Sequence, residues 1–316
     1  MNPGGLPLRR GLISIKDLTK EQIEAVLSES AKMLNACQCG ADVSYLDNKI
    51  MATLFFEPST RTRLSFESAM QRLGGGVIGF ADPSSSSSMK GESLVDTVRI
   101  VSSYSDIIVL RHPMEGAASE ASASSLVPVI NAGDGTGEHP TQALLDLFTI
   151  KMEKGRLGKL KVAVVGDLKN GRTVHSLAYA LALFGNQILF IAPKKLQVPD
   201  EVLSGLSRRY SGMVEKSESL ESALDADVIY MTRMQKERFA SPDEYGLFAN
   251  YYSINRKFLS RANDEVILMH PLPRVGEISP EVDGMKNSVY FKQAAYGVPV
   301  RMAILNMIIG QQSGIV

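Results

Sequence analysis

Short apolar strands alternate with helices along nearly the whole chain, and this alternation limits the fold more than any other feature. The strand segments are continuous runs of apolar residues, which is typical of parallel strands that are buried on both faces of a sheet. A second series of strands begins after a polar turn at residues 154–156. The predicted strands are residues 50–56, 76–80, 106–110, 127–131, 161–165, 187–192, 228–232 and 266–269.

The chain length of 316 residues indicates about two domains. We predict an α/β fold, with two doubly wound parallel-sheet domains joined by interdomain helices. The first domain would comprise residues 1–139 and a C-terminal helix at 297–316, and the second residues 140–296. Helices are predicted at residues 19–35, from 59 or 60 to about 73, at 94–103, from 140 and at 300–309.

The charge balance argues against nucleic acid or a membrane surface as the main partner. Lys and Arg total 34, Asp and Glu total 34, and the net charge is zero. The segment 303–309 is apolar but far shorter than the ~20 residues that span a bilayer. The N-terminal segment shows no apolar signal region, and the two cysteines are expected to be free thiols, so we expect a cytoplasmic protein.

The segment 55–63 places several anion-binding groups at the start of one helix. Ser59 or Thr60 would lie where the first helical turn has free N–H groups and the positive end of the helix dipole. Arg61 adds a guanidinium group whose geometry suits phosphate oxygens. The alternative is an ordinary N-cap with solvated arginines. The phosphate interpretation therefore requires further ligands from other segments.

Arginines recur near the ends of predicted strands, where ligands bind in open α/β sheets. Each could be a solvated surface residue, but randomly placed surface arginines would not prefer strand ends. A further hypothesis is that Glu57, Arg172 and Arg238 form ion pairs only when the two domains close. The arginines that follow strands are Arg61, Arg111, Arg172, Arg233 and Arg274.

Two histidine–proline segments are further candidates for chemistry. His139 precedes a helix that starts at Pro140, and the helix dipole there disfavours a positive imidazole. A neutral His139 could donate a hydrogen bond to a carbonyl oxygen, with Gln142 one turn further on; the alternative is a histidine that only caps the helix. The segment 270–274 follows the last strand, and its two prolines would fix a rigid loop whose backbone carbonyls at 271–273 point into a cleft; the alternative is a loop that is only stiff.

The sequence supports neither a nucleotide cofactor nor a metal. The strand 161–165 runs into a glycine turn, but Gly-x-Gly-x-x-Gly is missing and the next strand ends in Ala192 and Pro193 without an acidic residue. Cys37 and Cys39 lie in a predicted loop with no histidine nearby in sequence. We therefore predict no cofactor and no metal.

These segments together resemble the catalytic chain of the aspartate carbamoyltransferase family. The motifs are Ser-Thr-Arg-Thr-Arg at 59–63, His-Pro-Thr-Gln at 139–142 and His-Pro-Leu-Pro at 270–273, and the resemblance covers about residues 8–310. Thr-Arg-Met-Gln-Lys-Glu-Arg at 232–238 looks like the aspartate-binding loop of that family. Ornithine enzymes usually carry His-Cys-Leu-Pro in place of His-Pro-Leu-Pro, so the resemblance favours aspartate.

The resemblance implies transfer of a carbamoyl group from carbamoyl phosphate to the amine of L-aspartate, in pyrimidine (UMP) biosynthesis. The catalytic groups would be Arg61, Thr62, Lys90, Arg111 and His139. Carbamoyl phosphate would be bound by Ser59, Thr60, Arg61, Thr62, Ser86, Lys90, Arg111, His139, Gln142 and the backbone carbonyls of Pro271 and Leu272. Aspartate would be bound by Lys90, Arg172, Arg233, Gln235 and Leu272.

The resemblance also implies a homotrimer with shared active sites. The serine-rich segment 82–92 would reach into the site of the neighbouring subunit and supply Lys90 and Ser86. Family members differ in whether a separate regulatory chain binds the catalytic chain. The segment 283–291 departs from the usual family pattern; it lies away from the substrate motifs, so the departure concerns packing between elements more than catalysis.

The chemistry of this reaction agrees with the residue types. The amine of aspartate is itself the nucleophile, so the protein must supply orientation and positive charge for two anions and an oxyanion. The alternatives are a carbamoyltransferase for another amine such as ornithine, a two-domain protein that binds an anion without catalysis, and a nicotinamide-dependent dehydrogenase. Arg233 and Gln235 argue against ornithine, and a binding protein has no need of His139 or Lys90.

Overall fold

A computed structural model of the chain describes residues 11–81, 91–209, 214–235, 239, 241–248 and 251–310. The chain divides into two compact units, of which the first is Met1–Phe148 with Tyr296–Val316 and the second is Thr149–Ala295. Each unit contains a parallel β-sheet with helices, so the predicted fold class is confirmed. The predicted functional domains, 1–139 with 297–316 and 140–296, stay a prediction.

The first unit contains a five-stranded sheet with the strand order β1-β5-β4-β2-β3, and every pairing is parallel. Strands β2, β4 and β5 are therefore neighbours, and their carboxyl ends lie side by side. The strands are β1 (Gly11–Leu12), β2 (Ile50–Phe55), β3 (Gly76–Phe80), β4 (Ile107–His112) and β5 (Val129–Asp134). The helices are α1 (Lys20–Cys39), α2 (Thr60–Arg72), α3 (Leu94–Ser102), α4 (Ala117–Ser124) and α5 (Pro140–Lys154), which continues into the second unit.

The second unit contains a second five-stranded parallel sheet with the order β10-β9-β6-β7-β8. Strands run outward in both directions from β6, so β6 and β9 flank the point where the strand order reverses. The strands are β6 (Lys161–Val165), β7 (Gln187–Ile191), β8 (Val214–Ser217), β9 (Val228–Met231) and β10 (Ile267–Met269). The helices are α6 (Arg172–Leu183), α7 (Asp200–Arg209), α8 (Pro242–Phe248), α9 (Arg256–Leu259) and α10 (Tyr290–Ile309), most of which returns to the first unit.

Local sequence explains where several elements begin and end. Thr19 caps α1 through a capping box with Gln22, and Gly40 ends the helix in the left-handed conformation at φ 65°. Continuous apolar strands bury both faces of each sheet: β4 is buried from Ile107 to Arg111, and β6 from Val162 to Val165. The apolar runs that predicted the strands therefore form the cores of the two units.

Some predicted boundaries were wrong, each for a physical reason. Cys37 and Cys39 lie in the last turn of α1 and not in a loop, and both are free thiols. Helix α10 begins at Tyr290 and not at residue 300, because the helix tolerates Pro299 in its interior. Strands β1 and β8 were missed because one has only two residues and the other has the polar sequence Val-Glu-Lys-Ser.

Within the described ranges, no helix is both long enough and apolar enough to cross a membrane.

Candidate active site

The start of α2 lies directly after the carboxyl end of β2. Ser59 occupies the N-cap position in an extended conformation (φ −158°, ψ 93°), and its side chain makes no capping hydrogen bond. Its carbonyl accepts the N–H of Arg63 at 3.1 Å, which starts the helical ladder. The first-turn N–H groups of an α-helix have no partner within the helix, so this terminus is suited to an anion. A simple side-chain cap does not explain Ser59.

The four hydroxyl and guanidinium side chains of this turn differ in exposure. Thr62 is buried and Ser59 is half-buried, whereas Thr60 and Arg61 are exposed. Arg63, by contrast, forms an ion pair with Glu67 one turn further along α2, with 3.1 Å between Nη1 and Oε1. The first turn of α2 therefore combines a buried hydroxyl group with an exposed guanidinium group. Arg63 is instead paired with Glu67 within the helix.

Arg111 lies at the end of β4, beside the end of β2, because Phe55 and Arg111 are paired in the sheet. The side chain is buried, and Nη1 donates to the carbonyl oxygen of Ala132 at 3.1 Å. Its Nη2 donates to Glu57 Oε1 at 3.0 Å. Strand β5 and the loop after β2 thus hold this guanidinium in one orientation at the sheet edge. The hypothesis that Glu57 pairs with Arg172 or Arg238 on domain closure stays a prediction.

The loop after β5 leads to His139 and α5. Asp134 organises this loop, because Oδ1 accepts from Asn131 Nδ2 at 3.0 Å and from the Glu138 N–H at 3.2 Å. Gly135 has φ 48°, and a side chain there would collide with the backbone of Glu115. His139 is buried, and its carbonyl accepts the N–H of Gln142 at 3.0 Å.

Gln142 is buried on the first turn of α5. Its Nε2 donates to Oδ1 of Asp146 at 2.9 Å, and Asp146 is fully buried. The sequence alone did not point to Asp146, although a spacing of four residues on a helix places it one turn below Gln142. The three neighbouring strands β2, β4 and β5 therefore bring the α2 turn, Arg111, His139 and Gln142 to one edge of the first sheet.

In the second unit, Arg172 and the segment after β9 lie at neighbouring strand ends. Arg172 is the first residue of α6, after a turn that follows β6. Arg233 and Gln235 are half-buried and follow β9, which pairs directly with β6. The hydroxyl of Thr232 donates to the carbonyl of Val165 at 3.0 Å and ties the two strand ends together.

Asp167 is a second buried acid that sequence reasoning missed. Its Oδ1 accepts from the N–H and from the side-chain amide of Asn170, both at 3.1 Å. Burial raises the pKa of Asp167, while hydrogen bonds from Asn170 and from the Gln235 backbone oppose that shift. The carboxyl group therefore joins the turn that precedes Arg172 to the segment that carries Gln235.

The loop after β10 is held by a buried histidine–glutamate pair. The Leu272 N–H donates to His270 Nδ1 at 2.8 Å, so Nε2 carries the ring proton and donates to Glu277 Oε1 at 2.7 Å. Burial acts to raise the pKa of Glu277, but hydrogen bonds from His270 and from the Gly276 N–H lower it to about 2.

Leu272 lies in this loop with φ 56°, which is uncommon for a residue other than glycine. The His270 contact to its N–H fixes that conformation and with it the direction of the neighbouring carbonyl groups.

Of the remaining predicted site residues, one is paired within the second unit and three lie outside the described residues. Arg274 is bound by Asp283, and its Nη1 also contacts the Tyr290 hydroxyl at 3.0 Å, so the segment that departs from the family pattern packs against this loop. Ser86, Lys90 and Arg238 fall outside the described residues. Among the residues that are described, no group of three or more His, Cys, Asp or Glu side chains is placed to hold a metal ion.

Comparisons with known proteins cover almost the whole chain. Residues 10–152 match the family model "Aspartate/ornithine carbamoyltransferase, carbamoyl-P binding domain", and residues 158–308 match "Aspartate/ornithine carbamoyltransferase, Asp/Orn binding domain". The aspartate carbamoyltransferase catalytic subunit of Methanothermobacter thermautotrophicus is 53% identical over 304 residues, which is 96% of each chain.

Solved structures give the same result. The catalytic subunit of aspartate transcarbamoylase from M. jannaschii superposes with a TM-score of 0.89 at 52% identity, and covers 96% of this chain and 99% of its own. The Trypanosoma cruzi aspartate transcarbamoylase in complex with carbamoyl phosphate and aspartate gives a TM-score of 0.89 at 41% identity, and covers 93% of this chain and 95% of its own.

Proposed function

The chain belongs to the aspartate/ornithine carbamoyltransferase family, and from this premise we propose that it is the aspartate enzyme. It transfers the carbamoyl group of carbamoyl phosphate to the amine of L-aspartate, giving N-carbamoyl-L-aspartate and phosphate. One observation supports this proposal most strongly. Relatives that share about half of their residues with this chain over nearly its full length are aspartate carbamoyltransferase catalytic subunits. The product is a precursor for pyrimidine (UMP) synthesis in the cytoplasm.

The first unit supplies the carbamoyl phosphate site. The N–H groups and side chains of Ser59 to Thr62 bind the phosphate, with the guanidinium groups of Arg61 and Arg111 as charged donors. Thr62, Arg111 and His139 donate hydrogen bonds to the carbonyl oxygen and stabilise the negative charge that develops on it. Gln142 binds the carbamoyl NH2 group. The arrangement of these residues at one sheet edge supports this assignment.

The second unit supplies the aspartate ligands and two backbone acceptors. Arg172, Arg233 and Gln235 bind the two carboxylates of aspartate, and the carbonyls of Pro271 and Leu272 accept hydrogen bonds from the carbamoyl NH2. Bidentate guanidinium groups match carboxylates in geometry and charge. The buried contacts of Asp167 and of the His270–Glu277 pair support fixed positions for these segments.

The reaction needs no cofactor in this scheme. The unprotonated amine attacks the carbonyl carbon, a C–N bond forms, and a tetrahedral oxyanion results. The intermediate then collapses, the C–O bond to phosphate breaks, and the amine proton leaves to phosphate or solvent. The protein supplies orientation and positive charge, and the nucleophile belongs to the substrate.

The chain is proposed to act as a homotrimer in which Lys90 and Ser86 enter the site of the neighbouring subunit. Strand β3 lies at the sheet edge and is largely exposed, and Ile78 on β3 and Leu64 on α2 expose 41% and 50% of their surface. Exposed apolar side chains beside an unpaired strand edge are typical of a surface that another chain covers.

The test is carbamoyl transfer by the purified chain alone, with L-aspartate and L-ornithine compared side by side. Product with aspartate only is expected, and it would also show that no separate regulatory chain is essential for catalysis. Product with ornithine would contradict the reading of residues 232–238. No product with either amine, from a folded trimer, would contradict the proposed activity of the isolated chain.

A further inference from the structure

Asp146 is a fully buried acid that the proposed chemistry does not use. It lies on α5 one turn after Gln142, and its Oδ1 is 2.9 Å from Gln142 Nε2. Burying a carboxylate away from water is costly unless a charge and hydrogen bonds compensate for it. Asp146 contacts Gln142, a residue proposed to bind the substrate, so its burial requires an explanation.

Arg301 on α10 supplies the compensating charge. Its side chain is buried, interacts electrostatically with Asp146, and contacts the Thr141 hydroxyl at 3.4 Å. The guanidinium also lies over the ring of Phe66, 4.9 Å from its centre. Burial lowers the pKa of Arg301 to about 10 and Asp146 opposes this, so the guanidinium stays charged at neutral pH.

The surroundings of Arg301 leave room for the guanidinium. Gly297 lies one turn earlier on α10, and a Cβ atom there would be 2.5 Å from Arg301 Nη1. Any other residue at this position would push the guanidinium out of its place. Arg301 thus contacts Thr141 and interacts electrostatically with Asp146, and both of these residues lie within about one helical turn of Gln142 on α5.

The charge of Asp146 decides which end of the Gln142 amide faces it. The amide atom 2.9 Å from Asp146 Oδ1 is Nε2, the NH2 group of Gln142, and a carboxylate oxygen accepts a hydrogen bond from it. Turning the amide over would place two oxygen atoms with lone pairs against each other. The carbonyl oxygen Oε1 is therefore directed away from Asp146, as an acceptor.

We propose that Asp146 is a positioning residue that fixes Oε1 of Gln142 as the acceptor for the carbamoyl NH2 of the substrate. This inference rests on the proposed function. It deepens that function, because an acceptor at this place favours an acyl phosphate that carries N–H donors over one that carries a methyl group. The selectivity for carbamoyl phosphate over acetyl phosphate is then set partly by a residue that touches neither.

The test is Asp146→Asn, which keeps the shape of the side chain and removes its charge, so that Gln142 no longer has one preferred orientation. Binding of carbamoyl phosphate and of acetyl phosphate is measured by calorimetry. Carbamoyl phosphate should bind about 3- to 10-fold more weakly, the value of one hydrogen bond, while acetyl phosphate changes less than about 2-fold. Equal weakening of both ligands would overturn the inference.

A double-mutant cycle separates positioning from general stability. In a Gln142→Ala background, Asp146→Asn should change carbamoyl phosphate binding by less than about 2-fold, since there is no amide left to orient. Losses that simply add would contradict the positioning role. If Asp146→Asn alone does not fold because Arg301 is left as a lone buried charge, the variant Asp146→Asn/Arg301→Met removes both charges and is expected to show the same change in selectivity.

The two proposals fail in different ways. A wild-type chain that does not bind carbamoyl phosphate would contradict the proposed function itself. A wild-type chain that binds it, with an unchanged ratio of the two affinities in folded Asp146→Asn, would contradict only the role of Asp146.

Discussion

At the scale of single residues, neighbouring arginines on α2 have different tasks. Arg61 is exposed at the first turn, where N–H groups of the helix are available to an anion, whereas Arg63 pairs with Glu67 on the same helix. The two side chains are chemically identical and two positions apart. They therefore offer a matched pair for testing whether the helix start is a phosphate site.

We predict that Arg61→Ala lowers kcat by at least about 100-fold, the usual cost of losing one preorganised charged donor in the transition state. Arg63→Ala should change kcat by less than about 3-fold, because a helix ion pair of this kind contributes only about 0.5 kcal/mol. Steady-state kinetics with carbamoyl phosphate and L-aspartate measure both. A large loss in Arg63→Ala, or none in Arg61→Ala, would contradict the assignment.

Sequence reasoning found the arginines at strand ends more readily than the buried acids Asp146 and Asp167, which hold neighbouring polar groups. Arg111 and Arg172 were predicted as site residues because arginines follow the predicted strands repeatedly, which randomly placed surface arginines would not do. Asp146 and Asp167 were not, since a single acid in a helix or turn usually lies in solvent, and burial is a property of tertiary packing. Only the spacing of four between Gln142 and Asp146 gave a local signal.

At the scale of elements, the loop after β10 depends on the buried hydrogen bond from His270 to the carboxylate of Glu277. Glu277 accepts from His270 Nε2 at 2.7 Å and from the Gly276 N–H at 3.0 Å, and its side chain is 6% exposed. His270 in turn accepts the N–H of Leu272. Loss of the carboxylate charge should therefore weaken the whole loop from His270 to Glu277.

We predict that Glu277→Gln lowers the free energy of unfolding at pH 7 by about 1–3 kcal/mol, the value of a hydrogen bond to a charged group. The folded pKa of Glu277 is about 2 and its ordinary value is 4.5. Because the folded pKa is the lower one, the stabilisation is fully present above about pH 4.5 and is lost as the pH falls towards 2. The variant and the wild type should thus converge in acid.

Thermal unfolding at pH 7, 4 and 3 measures this effect. Glu265→Gln is the control, because Glu265 is exposed and its contact to Lys286 is 3.6 Å at the surface. The control should match the wild type at each pH. A difference between Glu277→Gln and wild type that stays constant down to pH 3 would contradict the proposed source of stability.

At the scale of the whole molecule, the sequence predicted the two parallel sheets but not their full extent. Long apolar runs such as β4 and β6 were recognisable because burial on both faces leaves few polar residues in them. The edge strands β1 and β8 were missed, since an edge is stabilised by pairing with a neighbour and less by its own composition. Pairing across the sheet is a long-range property that local patterns do not record.

The proposed shared site makes a prediction about mixed assemblies. Arg61 and Lys90 belong to the same site but would come from different subunits, so a chain with Lys90→Ala and a chain with Arg61→Ala are each expected to be inactive as pure trimers. In a mixed trimer, one of the three sites combines an intact Arg61 with an intact Lys90. About three quarters of randomly formed trimers are mixed, so about a quarter of the wild-type activity should return.

The measurement is activity after the two inactive chains are dissociated, mixed and reassociated, with mixed trimers verified by mass spectrometry. Each variant carried alone through the same treatment is the control, and it should stay inactive. Verified mixed trimers without recovered activity would contradict the shared site, because every residue of the site is then present in each assembly. Recovery of about a quarter of the wild-type activity would support the proposal that Lys90 acts in the site of the neighbouring subunit.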